Sequence, residues 1–190
     1  VVSATGIDAE DQTGDALSSG NYSGSAEGKT VTFYETGIEV EYITSDVTVS
    51  DAVASVSDTG TYEIQFSVTA FGNTIYVINA VTNDNSPASI AAGSGVTFSV
   101  TNPSQASVGS GAVERDDNNS TQETNSFKIS EGKTAKFTMT VPVTATSATA
   151  LHSVALEAVE WATTDTTTGS FYKSNLGVDA DTKSVNLIVR

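Results

Sequence analysis

The chain has 190 residues, enough for one large β domain or two small ones, and a chain of this length can bury roughly 70% of its unfolded surface. Its 23 acidic and 8 basic residues give a formal charge of -15, which argues against nucleic acid and anionic membranes as partners because both require a basic surface. The absence of cysteine excludes disulfides, thiol catalysis and thiolate metal sites, and no apolar run is long enough to predict membrane insertion.

The composition also carries information about location. The chain is rich in Thr, Ser, Gly and Ala and poor in Lys, Arg, Leu and Met, a balance typical of secreted bacterial and archaeal surface proteins. It begins at Val1 rather than at Met, as expected after removal of a signal segment. Both observations predict an extracellular or cell-surface location.

Residues 1–29 carry few apolar side chains and are crowded with Gly, Ser and Asp, so they are predicted to form an arm outside the core. The first seven residues allow two interpretations: a flexible N-terminus, or an extended donor strand that adds to an open sheet edge of a neighbouring subunit. In the second interpretation Val1, Val2 and Ile7 are the apolar contacts. Residues 30–190 are predicted to form one β-sandwich domain.

The first part of that domain reads as strands. Ile38, Val40 and Tyr42 are apolar, and the intervening Glu39 and Glu41 are expected on the solvent face, because alternate residues of a strand point to opposite sides. A turn is then predicted at residues 58–60.

The clearest strand signal is residues 62–70, where even positions are apolar and odd positions polar. Gly72 and Asn73 follow as a predicted two-residue hairpin turn, in which glycine supplies the positive φ of a primed turn. The apolar run Ile75–Ile78 is predicted as the partner strand, covered on both faces.

Further along the chain, residues 102–124 lack apolar periodicity and are predicted to be one long loop. Pro142 is expected to end the strand around it, or to place that strand at an edge, because proline has no N–H to donate. Residues 150–163 suit either a helix or a strand, and their β-rich surroundings favour a strand. The final strand carries Val185, Leu187 and Val189, which are predicted to contribute to contacts between subunits.

About ten short strands, frequent turns and no convincing helix predict an all-β protein, a single β-sandwich of jelly-roll or immunoglobulin-like type. The inventory of reactive groups argues against an enzyme. His152 is the one imidazole, and no serine lies in a nucleophile elbow. Glu157 and Glu160 would lie on opposite faces of a strand, which does not suit a glycosidase pair.

Calcium is the small ligand for which the sequence offers oxygen donors in loops. The predicted ligands are Asp116, Asp117, Asn119, Asp179 and Asp181. Their spacing does not match the EF-hand pattern, and ordinary turn chemistry explains Asp and Asn in loops equally well. No other cofactor is expected.

Three asparagines lie in the N-x-[ST] acceptor pattern, namely Asn21, Asn118 and Asn119. In an exported protein from a glycosylating cell, this pattern predicts surface sugars.

Two segments carry a resemblance to known proteins. YEIQFSVTAFGNTIYV at residues 62–77, and FKISEGKTAKFTMTVPV at 127–143 followed by HSVALEAVEW, resemble secreted β-sandwich proteins of bacterial surfaces, particularly of small-genome candidate-phylum lineages. A sandwich with a spare N-terminal segment is also similar in plan to pilus and biofilm-fibre subunits that donate a strand to the next subunit. The resemblance implies a structural role without an active site.

Together these observations predict a structural subunit of an extracellular filament or surface layer. The subunit would bind copies of itself by strand addition, a head-to-tail contact that does not close and therefore propagates. The alternative is a monomeric cell-surface adhesive or carbohydrate-binding module. In that alternative residues 102–124 form the rim that binds surface glycans, and calcium orders this rim.

Overall fold

A computed structural model of the chain describes residues 35–50, 57–83, 93–147, 149–166, 172–175 and 181–189. For residues 172–175 it describes the backbone alone. These residues belong to one compact unit, Glu35–Arg190. Apart from a 3₁₀ turn at Pro103–Gln105, the regular structure of the described residues is β-strand, and the all-β prediction is confirmed. The predicted N-terminal arm lies outside the described residues.

The strands in chain order are β1 (Gly37–Ser50), β2 (Thr59–Phe71), β3 (Ile75–Ile78), β4 (Val81–Asn83), β5 (Val96–Val100), β6 (Ala106–Val108), β7 (Ala112–Arg115), β8 (Ser120–Gln122), β9 (Ser126–Ile129), β10 (Thr134–Ala145), β11 (Ala150–His152), β12 (Val154–Ala162), β13 (Tyr172–Asn175) and β14 (Val185–Leu187).

The first sheet has the order β1-β2-β10-β6, and β7 also pairs with β10. All its pairs are antiparallel. β7 pairs with residues 137–140 of β10 and β6 with residues 143–145, so these two short strands form one interrupted edge. The opposite edge of this sheet is β1.

The second sheet has the order β4-β5-β12-β3-β9-β8, with β13 paired to β12. Only β4 and β5 are parallel in it. A small ribbon of β11 and β14 extends the sandwich at one end.

The core lies between the two large sheets, as expected for a sandwich. Tyr62, Ile64, Phe66, Val68 and Ala70, the even positions of β2, are all fully buried, as their alternation predicts. The ring of Phe137 on β10 stacks on Phe66 at 5.6 Å, and it meets Phe127 of the second sheet at 5.1 Å. These aromatic contacts join neighbouring strands and opposite sheets.

The predicted hairpin at Gly72 is wrong, although the turn itself is present. Gly72 has a φ of 72°, the left-handed conformation that favours glycine, and a Cβ there would overlap the carbonyl oxygen of Glu35. However, β2 belongs to the first sheet and β3 to the second. The turn therefore carries the chain across the core instead of pairing the two strands.

Two further local predictions are also wrong. Residues 102–124 are not one long loop, since they include β6, β7 and β8. The predicted turn at residues 58–60 is replaced by the start of β2 at Thr59, and Asp58 is buried. The Asp58 backbone and carboxylate both bond to Ile188.

Pro142 lies inside β10, which continues to Ala145 and is a central strand, so the predicted strand end is wrong. The carbonyl of Pro142 accepts a hydrogen bond from Gly109 at 2.9 Å, which shows that this residue's backbone faces the β6–β7 edge. That edge is interrupted at residues 109–111, so no ladder donor is required there.

The contacts of β2 show which residues lie at each of its two ends. Gly37 pairs with Phe71 at one end of β2, whereas Asp58, just before the other end, bonds to Ile188. β2 has 13 residues, so these ends are about 40 Å apart.

Candidate functional site

Two of the carboxylates predicted to bind calcium, those of Asp116 and Asp117, accept hydrogen bonds from other groups of the protein. The Asp117 carboxylate accepts bonds from the backbone N–H groups of Asn119 and Lys136, each at 3.0 Å, and Asp116 accepts one from the Thr138 hydroxyl at 2.7 Å. These contacts fasten the β7–β8 connection to β10.

The second predicted calcium loop is only partly described. Asp181 lies in a bridge with Ala155, and Asp179 falls outside the described residues. In the described part of the chain, no three His, Asp or Glu side chains are grouped as a metal site would require. Calcium binding stays a prediction.

The predicted glycosylation sites differ in environment. Asn118 is exposed. Asn119 is exposed as well, but its amide donates to the carbonyl of Thr134 at 2.9 Å. Asn21 lies outside the described residues, and so do Val1, Val2 and Ile7.

The C-terminal strand is built into the fold. Leu187 is fully buried in the core, whereas Val185 and Val189 are partly buried against it. β14 pairs with β11 through three residues of each strand. The structure therefore assigns Leu187 to this chain's own core.

Both glutamates of β12 accept hydrogen bonds from other residues of this chain. The buried Glu160 accepts the backbone N–H of Gly95 at 2.9 Å, and Glu157 accepts the Ser99 hydroxyl at 2.5 Å. Glu157 lies at a register shift between β12 and β5.

His152 is fully buried. Its Nδ1 lies 2.9 Å from the carbonyl oxygen of Thr101 and therefore carries a proton. The Tyr62 hydroxyl donates to the His152 carbonyl at 3.0 Å, and burial raises the pKa of Tyr62 to about 12.

The most unusual feature of the surface is the edge formed by β1. No strand among the described residues pairs with its outer side. β1 has 14 residues, whereas the other edge strands, β4, β6, β7, β8 and β13, have three or four. Natural sheets usually keep edges short or covered, because unpaired N–H and C=O groups recruit other chains.

The hydrogen-bond pattern shows which backbone groups of β1 face outward. The N–H and C=O groups of Ala70 bond to residues 132–133 on the β10 side, so those of Thr69 point to β1. Thr69 pairs with Glu39, and the groups of Ile38 and Val40 therefore point away from β2. In the same way, the outward groups after residue 43 belong to Ser45, Val47 and Val49.

The same residues turn their side chains toward the interior, since they pair with the buried positions of β2. The interior is nevertheless incompletely covered there. Tyr42 is 42% exposed, Ile43 39% and Val49 36%, while Ile38, Val40 and Val47 are partly buried. A strand beside β1 would cover this apolar row.

The outer face of β1 is polar and acidic. Glu39 and Glu41 are exposed, as predicted, and Asp46 pairs directly with Glu63 of β2. A shallow hollow of about 140 Å³ lies here, lined by Thr44, Ser45, Asp46, Glu63, Gln65 and Thr138. An approaching strand must therefore be neutral or basic on this side.

No protein-family model, no curated protein and no solved structure matches this chain. Among the described residues, no helix is long and apolar enough to cross a membrane.

Sequence reasoning correctly identified the strand at residues 38–42 and its solvent face. It missed two facts about the site: that this strand is an edge, and that a bulge interrupts it at Ile43. The alternation changes phase there, from apolar even positions to apolar odd positions at Val47 and Val49. That phase change was the available signal for a bulge.

Proposed function

We propose that the protein is a structural subunit of an extracellular filament or surface layer, and that copies of it assemble by strand addition to the open edge of β1. The observation that supports this proposal is a 14-residue edge with which no other described strand pairs on its outer side, combined with an exposed apolar row on its inner face. Added strands bind through backbone hydrogen bonds, and alternate side chains provide the apolar contact.

The donor that we propose is residues 1–7 of a second copy. This segment, VVSATGI, carries no charged side chain, whereas Asp8, Glu10 and Asp11 follow immediately. A neutral strand avoids repulsion from the carboxylates of Glu39, Glu41 and Asp46 on the outer face of β1. A chain that donates at one end and accepts elsewhere makes a head-to-tail contact, which propagates without closing.

The test is the assembly state of the full chain, measured by negative-stain electron microscopy and by light scattering after size exclusion. The wild type is expected to form regular polymers, and deletion of residues 1–8 is expected to give monomers with an unchanged melting temperature. Deletion of residues 9–16 removes an equal length from the same segment and should leave polymers intact.

A wild type that stays monomeric over a wide concentration range would contradict the proposal. Binding of that monomer to a glycan array would then support the adhesive module as the function. Polymers that survive deletion of residues 1–8 would exclude this segment as the donor.

A further inference from the structure

We infer that the β11–β14 ribbon is a pH-sensitive switch, which opens in acid when the ring of His152 takes up a second proton. Opening releases β14 from the core, whereas the two large sheets stay folded. The inference does not depend on the proposed assembly at β1. It concerns the other end of β2, where Asp58 bonds to Ile188.

The ring of His152 is enclosed by protein. The residue is fully buried, and its Nε2 atom is shielded from solvent. Nδ1 donates to the carbonyl of Thr101 at 2.9 Å, but no described group lies within hydrogen-bond distance of Nε2. A neutral imidazole with its proton on Nδ1 has only a lone pair at Nε2. The buried ring therefore leaves one acceptor unused and no donor unused.

A second proton changes this balance. It must go to Nε2, because Nδ1 already carries one, and it makes the ring a cation with an unpaired N–H in the core. Burial of an unpaired charge or donor costs free energy. An imidazole in water takes up this proton near pH 6.5. The protonated ring is therefore favoured when His152 leaves the core and reaches solvent.

None of the titratable groups described around the ring forms a hydrogen bond to it. Tyr62 on β2 bonds to the backbone carbonyl of His152 and stays neutral in acid. Asp58 accepts the N–H of Ile188, which lies about 10 Å along β14 from the partner of His152.

The strands next to His152 supply no other counter-ion. β5, β11 and β14 carry no charged side chain. The remaining charged side chains of the neighbouring strands and of the chain before β14 are exposed or accept bonds from other residues, namely Glu63, Lys136, Glu157, Glu160, Asp181 and Lys183. Among the described groups, a protonated ring would thus have no counter-ion in contact with it.

His152 also fastens the ribbon to the sandwich. Its ring bonds to Thr101 after β5, and its carbonyl accepts the hydroxyl of Tyr62 on β2 at 3.0 Å. The ribbon has three residue pairs, and two strands of this length are not stable by themselves. Outward movement of His152 breaks both of these bonds, so local opening of the ribbon follows.

Opening exposes an apolar strand. Leu187 on β14 is fully buried beside Gly60 of β2 and leaves the core with the ribbon. The released segment carries Val185, Leu187 and Val189 at alternate positions, the pattern of a strand that adds to a sheet edge. Acid would therefore make available a strand that the fold keeps in place at neutral pH.

Nuclear magnetic resonance of the full chain tests the switch directly. The chain has one histidine, so the ring signals report on His152 alone. We would record them from about pH 8 to about pH 4.5, together with the amide signals of β14 and of β2. We expect the folded signals to keep the neutral ring. A second set with a protonated ring should grow below about pH 6.5, by about tenfold per pH unit for uptake of one proton. The folded β14 amide signals should weaken in step, and those of β2 should stay.

Two variants separate the ring from general effects of acid. His152→Asn keeps an N–H near the position of Nδ1 and cannot take up a proton, so β14 should stay in place to about pH 4.5. Leu151→His, added to His152→Asn, returns an imidazole at a neighbouring position that is exposed in the wild type. This imidazole should take up its proton without release of β14.

The wild-type titration decides the question even if His152→Asn does not fold. The inference is wrong if the ring accepts the second proton while the β14 amide signals stay unchanged, or if β14 stays in place at every pH. Loss of the β2 signals together with those of β14 would also overturn it, because the whole domain would then unfold. Release of β14 at the same pH in His152→Asn would show that another group causes it. None of these results bears on the assembly proposed at β1, which is measured at neutral pH.

Discussion

The two edges of the first sheet differ in length and continuity. The β6–β7 edge consists of two short strands separated at residues 109–111, and Pro142 of the neighbouring strand faces the interruption. The β1 edge runs for 14 residues with a single bulge. Short strands, prolines and interruptions are the usual means of preventing edge-to-edge pairing. These features are concentrated on the β6–β7 edge, whereas the β1 edge is long and no other strand of the described residues pairs with its outer side.

In one cross-strand row, the side chain on β1 is less covered than the side chains at the centre of the sheet. Tyr42, Phe66, Phe137 and Arg115 are successive neighbours from β1 to β7. Phe66 and Phe137 are fully buried, but Tyr42 is 42% exposed. The apolar core is therefore complete under β2 and β10 and incomplete under β1.

The largest expected effect comes from breaking this row at its centre. Phe137→Ala should lower the free energy of unfolding by about 3–5 kcal/mol, because it empties a buried aromatic site that contacts both sheets. Tyr42→Ala in the same row should cost less than about 2 kcal/mol, since its ring is partly solvated and it loses one hydrogen bond. Urea denaturation measures both. Equal losses would mean that β1 is as well covered as the centre of the sheet.

The next effect concerns Tyr62, which lies opposite Val47 and ties β2 to β11. Its pKa is raised from 10.0 to about 12, so between these pH values the unfolded chain loses the proton and the folded chain keeps it. The stabilisation is fully present below pH 10 and is lost as pH rises through 12, a change of up to about 3 kcal/mol.

Denaturant titrations between pH 9 and pH 12 test this dependence. Tyr62→Phe should flatten the decline, whereas Tyr42→Phe, at an exposed position, should leave it in place. An unchanged slope in Tyr62→Phe would show that another group causes it.

The smallest expected effect concerns the outer face. Asp46 and Glu63 are directly opposite on β1 and β2, and like charges in such pairs destabilise. Asp46→Lys should therefore raise the free energy of unfolding by about 0.2–1 kcal/mol at low salt. Glu114→Lys on the β6–β7 edge faces Thr138 and should change stability less. A gain in Asp46→Lys that persists at high salt would exclude the charge explanation.

The sequence predicts the strands well wherever one face is buried and the other wet. The alternation at residues 62–70 determines both the strand and its buried face, because a period of two admits one arrangement. The turn at Gly72 shows the limit of such reasoning. A glycine with positive φ reports a local reversal, but whether the next strand joins the same sheet depends on contacts far away in the chain.

The candidate site was less accessible to prediction for the same reason. The acidic solvent face of β1 follows from its sequence, yet an edge is defined by the absence of a neighbour, which no local pattern encodes. The prediction of a strand end or an edge strand at Pro142 failed for a related reason. Its missing N–H suggested an edge strand, whereas the structure places the interruption in the neighbouring strands and keeps β10 central.

The positions of Glu35 and Ile188 at opposite ends of β2 have a mechanical consequence. Tension applied between these residues acts along the strands, so it would slide β1 past β2 instead of peeling the two apart. Their 13 paired positions would then share the load simultaneously. Resistance to forced unfolding depends on the rate at which such a ladder ruptures, and shared loading slows that rate. When the chain is pulled in this direction, the force at the β1 end first loads the ladder between β1 and β2. This is the longest ladder among the described strands.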